Sequence, residues 1–318
     1  MPSPVPTARI GSPPRRPLAQ GLGMLAPIML LAACTSVPLP PWTPSSERPA
    51  TTEPAAAQTA PPSAMGTLPA NQPAPYSAAV AARFPAPSVV YNTPGLQAGR
   101  TSFTSQAEIQ AWLRDQAASA SRTAGVKAAV LAIGSSQRGE AIEALVLTRA
   151  SGTDPAALQA SGWPTVLLVG QQRGDEPAGS EALLVIAREL AQGRLQPTLE
   201  RINVVIVPRA NPDGAASEQR PTTGGLDMYR DHLLLNTPEA QALARLTRDY
   251  RPMVVVDAHE YTVVGRYLEK FGTVQKFDAM LQYATTANLP EFLTKAAEEW
   301  YRQPLLAALK AQGLSTEW

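Results

Sequence analysis

Along the chain, short continuous apolar runs alternate with longer stretches whose apolar residues recur every three or four positions. Ala128 to Ile133 and Ala141 to Thr148 are rich in aliphatic residues, and the polar turn Ser135-Ser136-Gln137-Arg138-Gly139 between them predicts a β-hairpin. Pro164 to Gly170, Ile202 to Val207 and Met253 to Ala258 are apolar runs without alternation, the pattern of strands buried on both faces. Ser105-Gln106-Ala107-Glu108 has the form of a capping box, opening a helix to about Ser121 with Ile109, Trp112 and Leu113 on one face. Ala182, Leu183, Leu184, Ile186, Ala187 and Leu190 mark a second helix ending near Gly193, and Pro238 to Tyr250 reads as a third. Past Gly272, helices are expected over about Val274 to Thr286 and Pro290 to Ala311. Strands alternating with helices predict an α/β fold: a mixed, mostly parallel sheet flanked by helices.

The first third of the chain departs from this pattern. Arg9, Arg15 and Arg16 precede a mostly apolar run from Leu18 to Leu31, and Leu31-Ala32-Ala33-Cys34 closes it with small residues before the single cysteine. The run is short for a membrane span and contains Gly23 and Pro27. It resembles a bacterial lipoprotein signal over residues 1–33, which implies cleavage before Cys34 and attachment of a lipid anchor to it. Thr35 in the following position implies the outer membrane of the cell envelope, with the protein facing the periplasm. Residues 34–85 are dominated by Pro, Ala, Ser and Thr and cannot bury enough apolar area to offset their ordering entropy, so they are read as a disordered tether. Residues 86–318 are left as one α/β domain, and 44% hydrophobic content supports a substantial core. A lone cysteine excludes an intrachain disulfide, and a net charge of +1 with no nucleic-acid motif argues for a small or peptide-like partner rather than DNA or RNA.

Polar residues cluster where strands end: Arg173 to Glu176, Asn211-Pro212-Asp213-Gly214, and Asp257 to Glu260. In an open α/β sheet such carboxyl ends share one edge, where ligands sit. Between the second and third lies Gly224-Gly225-Leu226-Asp227-Met228-Tyr229-Arg230-Asp231-His232, too polar and glycine-rich for core. A strand followed by Glu176-Pro177-Ala178-Gly179, then Asn211 to Gly214, then Leu226 to His232, then Asp257-Ala258-His259, resembles the zinc metallocarboxypeptidases of the carboxypeptidase A type, closest to their bacterial branch.

That resemblance implies a zinc carboxypeptidase-like (phosphorylase/hydrolase-like) fold, incomplete here at the C-terminus, and hydrolysis of C-terminal peptide bonds in peptides or cell-wall fragments. It also implies a zinc ion held by a His-x-x-Glu pair and a later His, of which Glu176 and His259 match two positions. Such an ion takes three protein ligands and a water, whose pKa it lowers. Arg220 falls to the role of stabilising a developing oxyanion, and Arg230 to binding the terminal carboxylate.

The chain departs from the family's pattern at three points. Arg173 stands where the first ligand would be a histidine, and a guanidinium has no lone pair for a metal. His232, the only other histidine, lies in the matched run where the family uses no ligand, and is read as structural. Tyr229 replaces an asparagine beside Arg230, weakening end-group recognition. No strand bearing a general-base glutamate is evident after His259, Glu317 being too close to the end. Two functions therefore compete: a zinc carboxypeptidase, or an inactive carboxylate- or peptide-binding envelope lipoprotein in which Arg173 pairs with Glu176, a protein cation standing in for zinc. The motivation for the second is the i, i+3 spacing and opposite charge.

Overall fold

In the computed structural model the described residues are 91–261, 266–274, 277–284 and 286–317, all within one compact unit, Met65–Trp318. The expected signal, Cys34 and the tether lie outside them.

The first helix, α1 (Gln106–Ala120), is opened by the predicted capping box: the Ser105 hydroxyl accepts from the Glu108 N–H, and Glu108 accepts from the Ser105 N–H. β1 (Lys127–Ser135) and β2 (Ala141–Thr148) form the predicted hairpin, antiparallel with a bulge between Ala132 and Gly134. A Cβ on Gly134 would sit 2.7 Å from the Ala242 Cβ, so the glycine lets a later helix lie close on the sheet. α2 (Pro155–Ala160) is a short helix capped by the Asp154 side chain. Then come β3 (Thr165–Gly170), α3 (Pro177–Gln192), β4 (Asn203–Val207), the single turn α4 (Pro212–Ala216), α5 (Pro238–Tyr250) and β5 (Val254–Ala258).

The five strands form one mixed sheet in the order β1-β2-β4-β3-β5. β3 runs parallel to both β4 and β5, while β2 meets β4 antiparallel. β2 and β4 bury side chains on both faces. On one side Ile142, Val146, Val205 and Val207 meet Leu243, Leu246 and Tyr250 of α5; on the other Leu145, Leu147, Val204 and Ile206 meet Leu113 of α1 and Leu183, Leu184 and Leu190 of α3. Each such aliphatic side chain contributes about 1.5–3 kcal/mol by leaving water. The parallel arrangement of β3, β4 and β5 brings their three carboxyl ends to the same edge, as the sequence pattern anticipated.

Three expectations need correction. The run Met253 to Ala258 does form a strand, but β5 is the sheet's edge, and Met253, Val255 and Val256 are exposed rather than buried. Its apolar composition specifies a strand; burial depends on covering elements, and the described residues supply none over these side chains. The helix expected over about Val274 to Thr286 is absent among the described residues of that stretch, where Ala279–Met280 instead pairs with Thr316–Glu317 in a separate two-stranded sheet. Within the polar run Gly224 to His232, Met228 is fully buried in the core beneath α5. The last expected helix is present as one continuous run, with Glu291–Ala296 and Gln303–Ala311 α-helical and Ala297–Arg302 widened to π. Pro304 has no N–H and its ring crowds the preceding turn, and the wider π turn lies immediately before it.

Candidate functional site

Local backbone geometry at the end of β3 places the polar side chains. Gln171 adopts a left-handed conformation (φ 48°), a strain of about 1–2 kcal/mol for a residue with a Cβ. Its side chain holds the turn: the amide nitrogen donates to the Gly174 carbonyl (2.9 Å) and the amide oxygen accepts from Arg209 Nε (2.6 Å). A Cβ at Gly174 would lie 2.0 Å from the Gly214 carbonyl carbon, so the turn is pressed against the Asn-Pro-Asp-Gly segment with no room for a side chain. That segment is itself fixed by Asn211, whose side-chain oxygen caps α4 by accepting from the Gly214 N–H (2.9 Å). Glu176 stands at the N-cap of α3 but its carboxylate does not cap the helix; it turns toward the sheet end.

There it joins a chain of hydrogen bonds. Arg173 Nη1 donates to Glu176 Oε1 (3.0 Å), while Glu176 Oε2 is 2.6 Å from His259 Nδ1 and accepts the Glu260 N–H at 3.2 Å. His259 Nε2 is 2.9 Å from Asp257 Oδ2, which also accepts from the Gln172 amide (2.6 Å). The Gln172 oxygen is 2.6 Å from His232 Nε2; since an amide oxygen only accepts, that ring nitrogen is the donor. Both nitrogens of His259 therefore face carboxylate oxygens. Burial opposes charge on this ring, but the hydrogen bonds to Asp257 and Glu176 outweigh it and push its pKa up to about 9. Burial likewise works against the Glu176 carboxylate, and bonds from His259, Arg173 and the Glu260 N–H hold it below the usual carboxylate range.

Asp227 organises the second half of the site. Its Oδ2 lies 3.1 Å from Arg220 Nε, 3.6 Å from Arg230 Nε and 3.7 Å from Arg173 Nε, so three guanidiniums converge on one oxygen. Tyr229 packs between the two halves: its ring centre is 4.5 Å from Arg173 Cζ and 4.4 Å from the His259 ring centre, edge-on to the imidazole. The Arg230 side chain is 74% exposed and that of Arg220 39%. The residues singled out in the sequence, Glu176, His259, Arg173, Arg220, Arg230 and His232, are thus linked around one edge of the sheet. Sequence reasoning missed Asp227 as the arginine anchor and Gln172 as the link between His232 and Asp257. Asp227 carried a signal, an acid seven residues after Arg220 and three before Arg230 in a glycine-rich loop.

An α/β fold with a mixed sheet thus brings a Glu and a His together at the carboxyl ends of parallel strands. Residues 109–233 match the family described as zinc carboxypeptidase. The matched segment contains Arg173, Glu176, Arg220 and Arg230; His259 lies beyond it. Among curated proteins, the chain is 29% identical over 151 residues to Carboxypeptidase 2 of Trichophyton rubrum, a match covering 47% of this chain and 28% of that protein. It is 37% identical over 113 residues to Carboxypeptidase D of Mus musculus, covering 31% and 8% respectively. The chain thus spans less than a third of the length of these relatives. Among solved structures, a metallo-carboxypeptidase from Burkholderia cenocepacia aligns with a TM-score of 0.41 at 18% identity, covering 49% of this chain and 40% of the other.

The family implies zinc, and the side chains do not fit it. Both Glu176 oxygens and both His259 nitrogens are engaged with protein partners. The partner at the remaining ligand position is a permanent cation with no lone pair. Among the described residues no group of three His, Cys, Asp or Glu side chains is arranged to hold a metal.

Proposed function

We propose that this chain is a carboxylate- or peptide-binding protein of the bacterial cell envelope, derived from the zinc carboxypeptidase scaffold and not a zinc hydrolase. The observation that carries the reading is the arginine cluster on Asp227. The aspartate engages the Nε atoms of Arg220 and Arg230, and among the described residues the terminal nitrogens of both have no hydrogen-bond acceptor. Arg220 and Arg230 share the single Asp227 oxygen that also lies 3.7 Å from Arg173 Nε. A planar guanidinium fork matches a carboxylate, and each charge-assisted hydrogen bond contributes about 1.5–3 kcal/mol.

The family reaction, hydrolysis of C-terminal peptide bonds, supports a peptide with a free carboxyl end as the ligand class. The lipoprotein-like leader supports tethering through Cys34 at the outer membrane, facing the periplasm, where cell-wall peptides are at hand. The test is calorimetric titration with one peptide carrying either a free or an amidated C-terminus. The free acid is expected to bind and the amide to bind far more weakly, with Arg230→Ala weakening the free acid by roughly 10- to 100-fold. Equal affinity for acid and amide contradicts the reading, as does zinc-dependent release of the C-terminal residue.

A further inference from the structure

The two positions where this site departs most from the family's pattern, Arg173 and Tyr229, are far apart in sequence and touch each other in the fold. The guanidinium is held on three sides. Glu176 Oε1 takes one terminal nitrogen at 3.0 Å, Asp227 Oδ2 lies 3.7 Å from Nε, and the Tyr229 ring covers the flat face at 4.5 Å. The same ring rests edge-on against His259, 4.4 Å between ring centres. The phenol thus contacts both the cation and the imidazole that share Glu176.

We infer that Arg173 and Tyr229 act as one unit, a protein-built cation with an aromatic cover, that supplies at Glu176 the positive charge a metal ion would supply. This deepens the zinc-free reading above and rests on it. The guanidinium supplies the positive charge that the buried Glu176 carboxylate needs, and the ring closes the side of that charge not occupied by carboxylates. Removing one member strands the other. Without Arg173 the ring loses its cation and still leans on His259; without Tyr229 the guanidinium face opens to water, which weakens its hold on Glu176. A metal would also require His259 to turn a nitrogen away from a carboxylate while the ring rests against it. Arg173→His alone therefore leaves the site closed to zinc, and reopening it takes Tyr229→Asn as well.

The test has two arms on the full chain. In the first, urea midpoints are measured for wild type, Arg173→Met, Tyr229→Leu and the double variant, with Arg173→Lys, which keeps the charge and loses the flat stacking face, replacing Arg173→Met should that variant not fold. Coupling predicts that the double variant falls no further than the more damaging single one; a fall equal to the sum of the two overturns the inference. In the second, zinc content is measured by mass spectrometry after incubation with zinc and dialysis. Retention in Arg173→His/Tyr229→Asn but not in Arg173→His alone is expected. Equal retention in both, or none in the double variant, overturns the claim that the pair is what excludes the ion. Stoichiometric zinc in wild type instead overturns the zinc-free reading beneath it.

Discussion

Replacing Glu176 with Gln changes almost no volume and removes one negative charge at the centre of the site. The carboxylate is 4% exposed and accepts from Arg173 at 3.0 Å and His259 at 2.6 Å. In the amide, one oxygen can still accept, but the new NH2 must face either the guanidinium or the imidazole, both of which donate. Two charged hydrogen bonds, each contributing about 1.5–3 kcal/mol, become at best one neutral-acceptor bond and one donor facing a donor. His259 can relieve part of this by losing its proton and accepting from the amide. The net expectation is a loss of about 3 kcal/mol, at the lower end for breaking a buried pair from one side. For a domain of this size that lowers Tm by about 6–12 °C. Differential scanning calorimetry of wild type and Glu176→Gln, each with and without a chelator, reads it directly. Glu299→Gln, which removes the exposed partner of Lys295 at 3.8 Å, is the control and leaves Tm nearly unchanged. An unchanged or higher Tm for Glu176→Gln refutes the ion-pair reasoning, and a wild-type Tm that drops with chelator alone shows that a metal, not Arg173, neutralises the carboxylate.

Further outcomes follow from other parts of the fold. Gly174→Ala forces a Cβ to within 2.0 Å of the Gly214 backbone, so the turn must shift; a loss of about 1–3 kcal/mol or more in urea denaturation is expected, and a neutral effect contradicts the packing described. Asp227→Asn withdraws the shared anchor of Arg220 and Arg230 and is expected to weaken binding of a free-acid peptide by roughly tenfold in calorimetry, whereas unchanged affinity means that the arginines position themselves. Arg100 and the backbone and hydroxyl of Ser105 hydrogen-bond Glu108 and hold its pKa at about 2, below the ordinary 4.5. Because this folded pKa is depressed, the stabilisation is complete above about pH 4.5 and fades as pH falls toward 2. The urea midpoint should drop across that window, less steeply in Arg100→Ala, and an identical pH slope in the two proteins contradicts the assignment.

Much of the fold was legible because its signals are local. The capping box at Ser105 and Glu108 and the polar turn between β1 and β2 act over a few residues, and the continuous aliphatic runs of β3 and β4 are strands whatever surrounds them. The runs did not reveal cover. Met253 to Ala258 reads like β4 in composition, yet one lies at the sheet edge and the other at its centre, and only strand order distinguishes them. Met228 is the converse case, a single core side chain inside a polar run whose neighbours gave no periodicity. At the site, the Arg173–Glu176 pair was legible from its i, i+3 spacing, which the structure realises in the turn before α3. The convergence of Arg220, Arg230 and Arg173 on Asp227 was not, nor the contact of Tyr229 with Arg173. The two Arg173 contacts cross between the β3 turn and the loop before α5 and no sequence spacing encodes them, whereas Arg220 and Arg230 lie seven and three residues from Asp227 within that loop.

The central claim, that a guanidinium paired with Glu176 takes the place of a zinc ion, is tested most directly by the metal content of the purified full chain after incubation with zinc and exhaustive dialysis. Zinc far below one ion per chain is predicted. Stoichiometric zinc that survives dialysis, and that disappears in Glu176→Gln, would contradict it.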